Sequence, residues 1–451
     1  MVGRPNANFH LLYDDQSYVE FMNRYAQRPT RIFQSGHGGM IHSFHAGTVG
    51  SQVATGRAIE INGNRFLPGQ ETWAFVPFGV LPFLSELRKP SYGISPYHHL
   101  NLLNQAPYVF DAKVFGPYGL KGQDERLHHS TAGGSTKNSR LTHPGGWGTL
   151  MVVGFGSGGG SPTVGQKKTQ QPGRSDFEPA YLVFDITDAY QAPKFIASVK
   201  VKDLGSSSSL PSVVTLKNSQ GDLEWFLAFG SGNHLDPNGL QAGEAIGSAK
   251  IFLVNLRKLQ DRRKLAVKEI DLKQANTSVV GVASADWDLN GETDAIYVNT
   301  TEAGCYQVAA GQCRGSIFRI SPKAKKGIQG LVSETLIEVA APLIERPLLS
   351  LDRLQNRWIY AASGQNTAIS LPAKRVQHRI IGVKEPRDSL GRYLVNTTRS
   401  KSGTVKREDL LDVSDINVEA TTGRLSERVN VSPQLDEQTV FSLENRLMAF
   451  K

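Results

Sequence analysis

Oxygen-bearing side chains cluster in the segment DWDLNGETDAIY, residues 286–297, where Asp286, Asp288 and Asn290 alternate with other residues and Asp294 follows Gly291. Such a run can curl round one point and aim its side-chain oxygens inward. The backbone carbonyl of Glu292 can add a further donor. Hard oxygen ligands in this number suit Ca²⁺ at about 2.3–2.6 Å in flexible geometry, whereas Mg²⁺ demands a stricter octahedron. Gly291 permits the sharp turn. The loop is not an EF-hand, because its twelfth position is Tyr297 rather than a bidentate glutamate. Its flanks, SVVGVAS and AIYVN, have strand rather than helix character. The alternative is an Asx-rich hairpin turn whose carboxylates cap backbone N–H groups. Three carboxylates crowded into one turn repel each other without a cation, which favours the metal.

Other groups offer less. The two cysteines, Cys305 and Cys313, end the short stretch CYQVAAGQC and read as a disulfide that staples a loop in an oxidising compartment. The alternative is two unpaired cytosolic thiols, and two cysteines are too few for a structural zinc. His42 and His45 lie three apart on a strand and so face opposite sides of a sheet, not one metal. His98, His99, His128 and His129 sit in loop-like sequence. The glycine-rich GFGSGGGS is followed by no helix pattern, so it lacks the context of a phosphate-binding turn. No nucleophile elbow is embedded between a strand and a helix. The expectation is therefore a protein that is not an enzyme.

The elements that hold the acidic loop are β-strands. With 45 glycines and 22 prolines in 451 residues, short strands and turns dominate. A loose pattern recurs in which an apolar strand ends in small residues and a second strand follows. It appears in 31–47, in the pair 146–160 and 180–188, and in 224–234 with 249–256. It returns in 294–304 with 315–321 and in 357–366 with 378–383. A hairpin of this size cannot bury its own faces, and repeated four-stranded sheets around an axis solve that problem. The predicted fold is all-β, a modified β-propeller of about seven blades with long inserted loops; two β-sandwiches are the competing answer. The expected organisation is a lead-in over 1–30, the propeller over 31–385 and a segment over 386–451 that closes or flanks it.

Composition excludes some functions. The hydrophobic share of 39% supports a real core, and no apolar run is long enough to span a bilayer. The charge of +9 is diffuse and no nucleic-acid module accompanies it, so no nucleic-acid partner is expected. The N-terminus lacks the apolar core of a signal peptide.

Several segments together resemble the C-terminal domain of the PilY/PilC family of type IV pilus tip-associated proteins. In order they are GHGGMIHSFHAG, ETWAFVPFGVLPFL, YVFDAKVFG, GWGTLMVVGFGSGGG, AYLVFDITDAYQAPKF, SADWDLNGETDAIYV, GSIFRIS and RWIYAASGQN, covering roughly residues 30–385. The resemblance implies a modified propeller at the pilus tip or outer cell surface. It implies roles in pilus biogenesis, twitching motility and adhesion, with major or minor pilins and a host or abiotic surface ligand as partners. It also implies calcium at Asp286, Asp288, Asn290 and Asp294 with the Glu292 carbonyl. His37-Gly38 stands where the family usually has Asn-Asp, and no Arg-Gly-Asp motif is present to carry integrin binding. On this reading the chain is a C-terminal fragment of a secreted precursor. The other readings are a secreted propeller enzyme (a quinone-dependent dehydrogenase or a glycosidase) and a lectin-like carbohydrate binder.

Overall fold

The structure, a computed structural model, describes residues 2–49, 54–55, 58–61, 63–94, 100–115, 142–156, 158, 163–164, 167–168, 178–232, 248–260, 265–302, 313–323, 327–364, 379–387, 393, 405 and 410. His98, His99, His128, His129 and Cys305 lie outside them.

Five antiparallel sheets follow one another along the chain. The first joins β1 (Thr30–Ser35) to β2 (Ile41–Val49), with β3 (Glu71–Phe75) on the other side of β2. The second runs β4 (Tyr108–Lys113), β5 (Trp147–Gly154), β6 (Tyr181–Asp185) and β7 (Lys194–Val199), each strand beside the next. The third is β8 (Ser212–Lys217), β9 (Leu223–Gly230), β10 (Ser248–Asn255) and β11 (Val267–Ala275). The fourth is β12 (Thr277–Ala285), β13 (Ala295–Glu302), β14 (Gly315–Pro322) and β15 (Leu331–Val339). The fifth holds β16 (Leu348–Leu351), β17 (Arg357–Ala362) and β18 (Ile380–Lys384). All five predicted strand pairs form: β1 with β2, β5 with β6, β9 with β10, β13 with β14 and β17 with β18.

The inner strands are apolar at nearly every position because both of their faces are covered. Side chains alternate across a strand, so neighbours enter different clusters. On β5, Leu150 and Val152 join Trp225, Leu227 and Phe229 of the third sheet, while Met151 and Val153 pack with Ile41 toward the first. On β9 the other face sends Phe226 and Ala228 into a cluster with Val279, Ile296 and Val298 of the fourth. On β13, Tyr297 turns the opposite way and packs with Ile359, Ala361 and Val383 of the fifth. Every interior sheet is thus sandwiched between its predecessor and its successor. Two separate sandwiches would leave one face of each sheet solvated. Stacking in chain order is the packing of propeller blades, and the all-β propeller expectation holds. Of the about seven blades expected, five sheets of this kind lie among the described residues.

Close approach between blades sets some residues. A Cβ on Gly281 would lie 2.3 Å from the Arg346 backbone, so only glycine fits there. The lead-in carries helices α1 (Phe9–Leu12) and α2 (Gln16–Arg24). Asp15 caps α2, accepting from the Ser17 N–H at 3.0 Å. Tyr18 and Phe21, three apart on one helix face, are fully buried among residues of the second and third sheets. The Tyr18 hydroxyl donates to Asp111 at 2.7 Å, and Phe9 stacks on Trp147 at 5.2 Å. The lead-in is therefore part of the core.

Candidate metal centre

The acidic loop connects β12 to β13. Ala285 pairs with Ala295, and the Asp294 N–H donates to the Ala285 carbonyl at 2.8 Å, so the hairpin closes immediately below the loop. Two left-handed residues, Leu289 at φ 57° and Gly291 at φ 83°, turn the chain back on itself. The third blade holds the far side: Thr215 donates through its hydroxyl to the Gly291 carbonyl at 2.8 Å, and Thr293 N–H donates to the Thr215 carbonyl at 2.8 Å.

This frame brings one carboxylate oxygen each from Asp286, Asp288 and Asp294 within 4.8 Å of one another. Asp286 accepts N–H groups from Asn290 at 3.1 Å and Gly291 at 2.7 Å, and Asp294 accepts the Trp287 N–H at 2.6 Å. Asn290 lies beside the cluster, its amide donating to Asp288 at 2.9 Å while its oxygen takes the Glu292 N–H at 2.7 Å. The Glu292 side chain leaves the cluster to pair with Lys217 at 3.4 Å. The expected ligand from this residue is its backbone carbonyl, not this side chain.

Electrostatics separates this loop from an ordinary turn. Burial raises Asp286 above the usual carboxylate range; the Gly291 and Asn290 N–H groups oppose the shift and the nearby Asp288 adds to it. Asp294 is raised by burial and by Asp288, against the pull of the Trp287 N–H and Arg357. Among the described residues no lysine or arginine forms an ion pair with any of the three. The donors are hard oxygens that disfavour one another's charge, which is the donor chemistry a divalent cation such as Ca²⁺ requires.

The loop is also tied to the end of the described chain. The Trp287 indole donates to Tyr297 at 3.1 Å, and Tyr297 donates to Glu385 at 2.6 Å. Glu385, fully buried, takes Arg319 at 2.9 Å and Arg357 at 3.4 Å, while Arg319 also pairs with Glu334 at 2.9 Å. The Arg357 guanidinium lies over the Trp287 ring at 5.5 Å. Nothing in the local motif pointed to this network, because its members come from six separate strands or their ends.

The chain resembles the C-terminal domain of PilY1. The crystal structure of that Pseudomonas aeruginosa domain aligns over 80% of this chain and 59% of its own, with 15% identity and a TM-score of 0.47. The chain thus spans less than two thirds of the PilY1 chain it matches. A glycoside hydrolase family 43 arabinoxylan arabinofuranohydrolase from Bacillus subtilis, solved with cellotetraose, aligns over 84% of this chain and 66% of its own at 8% identity and a TM-score of 0.28. Neither likeness by itself carries a site or an activity to this chain. No protein-family model and no curated protein matches the sequence.

His42 is part-exposed and bonds Glu71 at 2.7 Å, whereas His45 is fully buried, so the two point to opposite sides as their spacing predicted. Cys313 is buried, and no described cysteine is free. One histidine that the sequence did not single out, His143, is buried against Asp185 at 3.0 Å and stacked on Phe115 at 3.8 Å. Asp185 in turn accepts the Thr187 hydroxyl at 2.6 Å. This pair is packed into the second blade as a structural bracket.

Proposed function

We propose that this chain is a calcium-binding, cell-surface propeller that acts at the tip of a type IV pilus, in pilus biogenesis, twitching motility and adhesion. Its partners on this reading are major or minor pilins and a host or abiotic surface ligand, and its location is extracellular. The observation that carries the proposal is the meeting of Asp286, Asp288 and Asp294 within 4.8 Å, in a loop between two blade strands. The ordered run of segments resembling the PilY/PilC C-terminal domain supports the pilus setting.

A bound Ca²⁺ would supply the positive charge that offsets the mutual repulsion of the three aspartates. Asp286, Asp288, Asn290 and Asp294, with the Glu292 carbonyl, are the residues that would hold it. The chain's own contribution is to orient them. Thr215 and Thr293 pin the loop to the third blade, and Trp287 and Tyr297 pin it to the network around Glu385. Ordering of this surface by the cation is the means by which the protein would respond to calcium.

Calorimetric titration with Ca²⁺ tests the site. Wild type should bind with about one-site stoichiometry, and Asp294→Ala should bind at least tenfold more weakly, the equivalent of about 1.4 kcal/mol. No binding, or equal binding by both proteins, rejects the metal. The pilus role is tested separately by pull-down of purified pilins with the wild-type chain in calcium and in chelator.

A further inference from the structure

Asn290 is followed directly by Gly291 at the tip of the acidic loop. In an Asn-Gly pair the side-chain amide carbon lies within reach of the next backbone nitrogen, and glycine has no Cβ to obstruct ring closure between them. Asn218, in the turn between β8 and β9, is followed by Ser219 instead.

Around Asn290 the loop supplies each form of assistance that such an attack needs. The Gly291 N–H, the nucleophile, donates to Asp286 Oδ2 at 2.7 Å, so a carboxylate is in place to take its proton. Asn290 Oδ1, on which negative charge develops, accepts the Glu292 N–H at 2.7 Å. Asn290 Nδ2, the leaving nitrogen, donates to Asp288 Oδ2 at 2.9 Å. Asn290 and Asp288 are exposed, so water reaches the amide, while Gly291 is buried beneath the Tyr13 ring. One turn thus holds a nucleophile, a base, a donor to the oxyanion and an acceptor for the leaving group. Asn218 Oδ1 likewise accepts a backbone N–H, from Gln220 at 2.9 Å, but without the glycine.

We propose that the cation-free loop is a self-modification site, at which its own groups convert Asn290 to aspartate or isoaspartate. The Gly291 nitrogen bonds to Asn290 Cγ as its proton passes to Asp286. The tetrahedral carbon then collapses and the Cγ–Nδ2 bond breaks. The same proton reaches the departing nitrogen by way of Asp288, one of whose oxygens stands within 4.8 Å of one from Asp286, and ammonia leaves. A cyclic imide remains between positions 290 and 291. Water adds to one of its carbonyls and breaks that carbon's bond to the ring nitrogen. Opening at Cγ restores the ordinary backbone with a new carboxylate; opening at the main-chain carbonyl routes the backbone through the side chain. The sum is amide plus water giving acid plus ammonia, with nothing oxidised or reduced.

The product places a fourth carboxylate beside Asp286, Asp288 and Asp294. A reacted chain therefore differs from a fresh one by one negative charge at the candidate metal centre. The reaction uses only the chain and water and does not rest on the calcium reading.

The test ages the full chain at neutral pH in chelator, which keeps cations off Asp286 and Asn290, and follows it by peptide mapping after acidic digestion. The peptide containing Asn290 should gain the mass of an NH-to-O exchange about tenfold faster in the folded chain than in the same chain held in guanidinium chloride, where the three hydrogen bonds are lost. Isoaspartate-specific methyl transfer should label that peptide, and the peptide containing Asn218 should stay unconverted over the same period. Asp286→Asn should slow the folded chain to about the unfolded rate. A folded wild-type chain that converts no faster than the unfolded one overturns the proposal without needing any variant to fold. So does a folded Asp286→Asn chain that converts at the wild-type rate.

Discussion

The ring of Tyr13 lies directly over Gly291, so closely that a Cβ on that glycine would fall 2.1 Å from the ring. The lead-in thereby covers the back of the acidic loop, and burial there raises the Tyr13 hydroxyl to about 12. Tyr13 is itself seated against Trp147 at 6.2 Å and Trp225 at 5.8 Å. The loop's shape therefore depends on an aromatic wedge from the opposite end of the described chain.

Gly291→Ala should destabilise the protein on two counts, the positive φ and the collision with Tyr13. The backbone term alone is about 1–2 kcal/mol. Denaturant unfolding should show a loss of about 2–3 kcal/mol, and adding Tyr13→Ala to the variant should recover none of the backbone share. A variant as stable as wild type would show that the wedge is not rigid.

Glu385→Gln removes the charge on which Arg319 and Arg357 converge. Arg319 is 1% exposed and loses one of its carboxylate partners, so the loss should be about 3 kcal/mol in thermal or denaturant unfolding. The same substitution disturbs the Tyr297–Trp287 chain, so calcium affinity should fall as well. Unchanged affinity with reduced stability would uncouple the network from the loop.

Asp185 gives acid sensitivity. Burial tends to raise it, but the hydrogen bond and charge of His143 and the two bonds from Thr187 outweigh that and hold it below the usual range. Its folded pKa is depressed, so its contribution is present above the unfolded value of about 3.9 and is lost as pH falls through the folded value. Asp185→Asn should therefore cost about 1–3 kcal/mol at pH 7, and the gap to wild type should shrink below pH 4. A gap that stays constant down to pH 2 would contradict this.

The cysteine pair is testable without mutation. Peptide mapping of unreduced protein should recover Cys305 and Cys313 in one linked species. Closing so short a loop should contribute about 2–3 kcal/mol, and reduction should lower the melting temperature accordingly. Free thiols at both positions in protein purified without reductant would reject the staple.

How much of this was legible follows from the range of each interaction. The five strand pairs could be read because each is local, an apolar run, a small-residue turn and a second run. The meeting of Asp286, Asp288 and Asp294 was legible for the same reason, since all three sit in one tight turn. Tyr13 over Gly291 was not, because nothing in either segment names the other. The spacing of Tyr18 and Phe21 on α2 and of Tyr25 at its C-cap did carry a helical signal that the prevailing strand pattern overshadowed. Arg31 reads in sequence as one more surface cation; its burial comes from Ala189 and Ile186, which only the packed second blade brings to it.

Trp287 is joined to the acidic loop by its backbone and to Tyr297 by its indole, under the guanidinium of Arg357. The loop thus carries its own optical probe. With Trp73, Trp147, Trp225 and Trp358 replaced by phenylalanine, the emission of that one remaining indole would report the state of the loop in real time, unlabelled and in dilute solution.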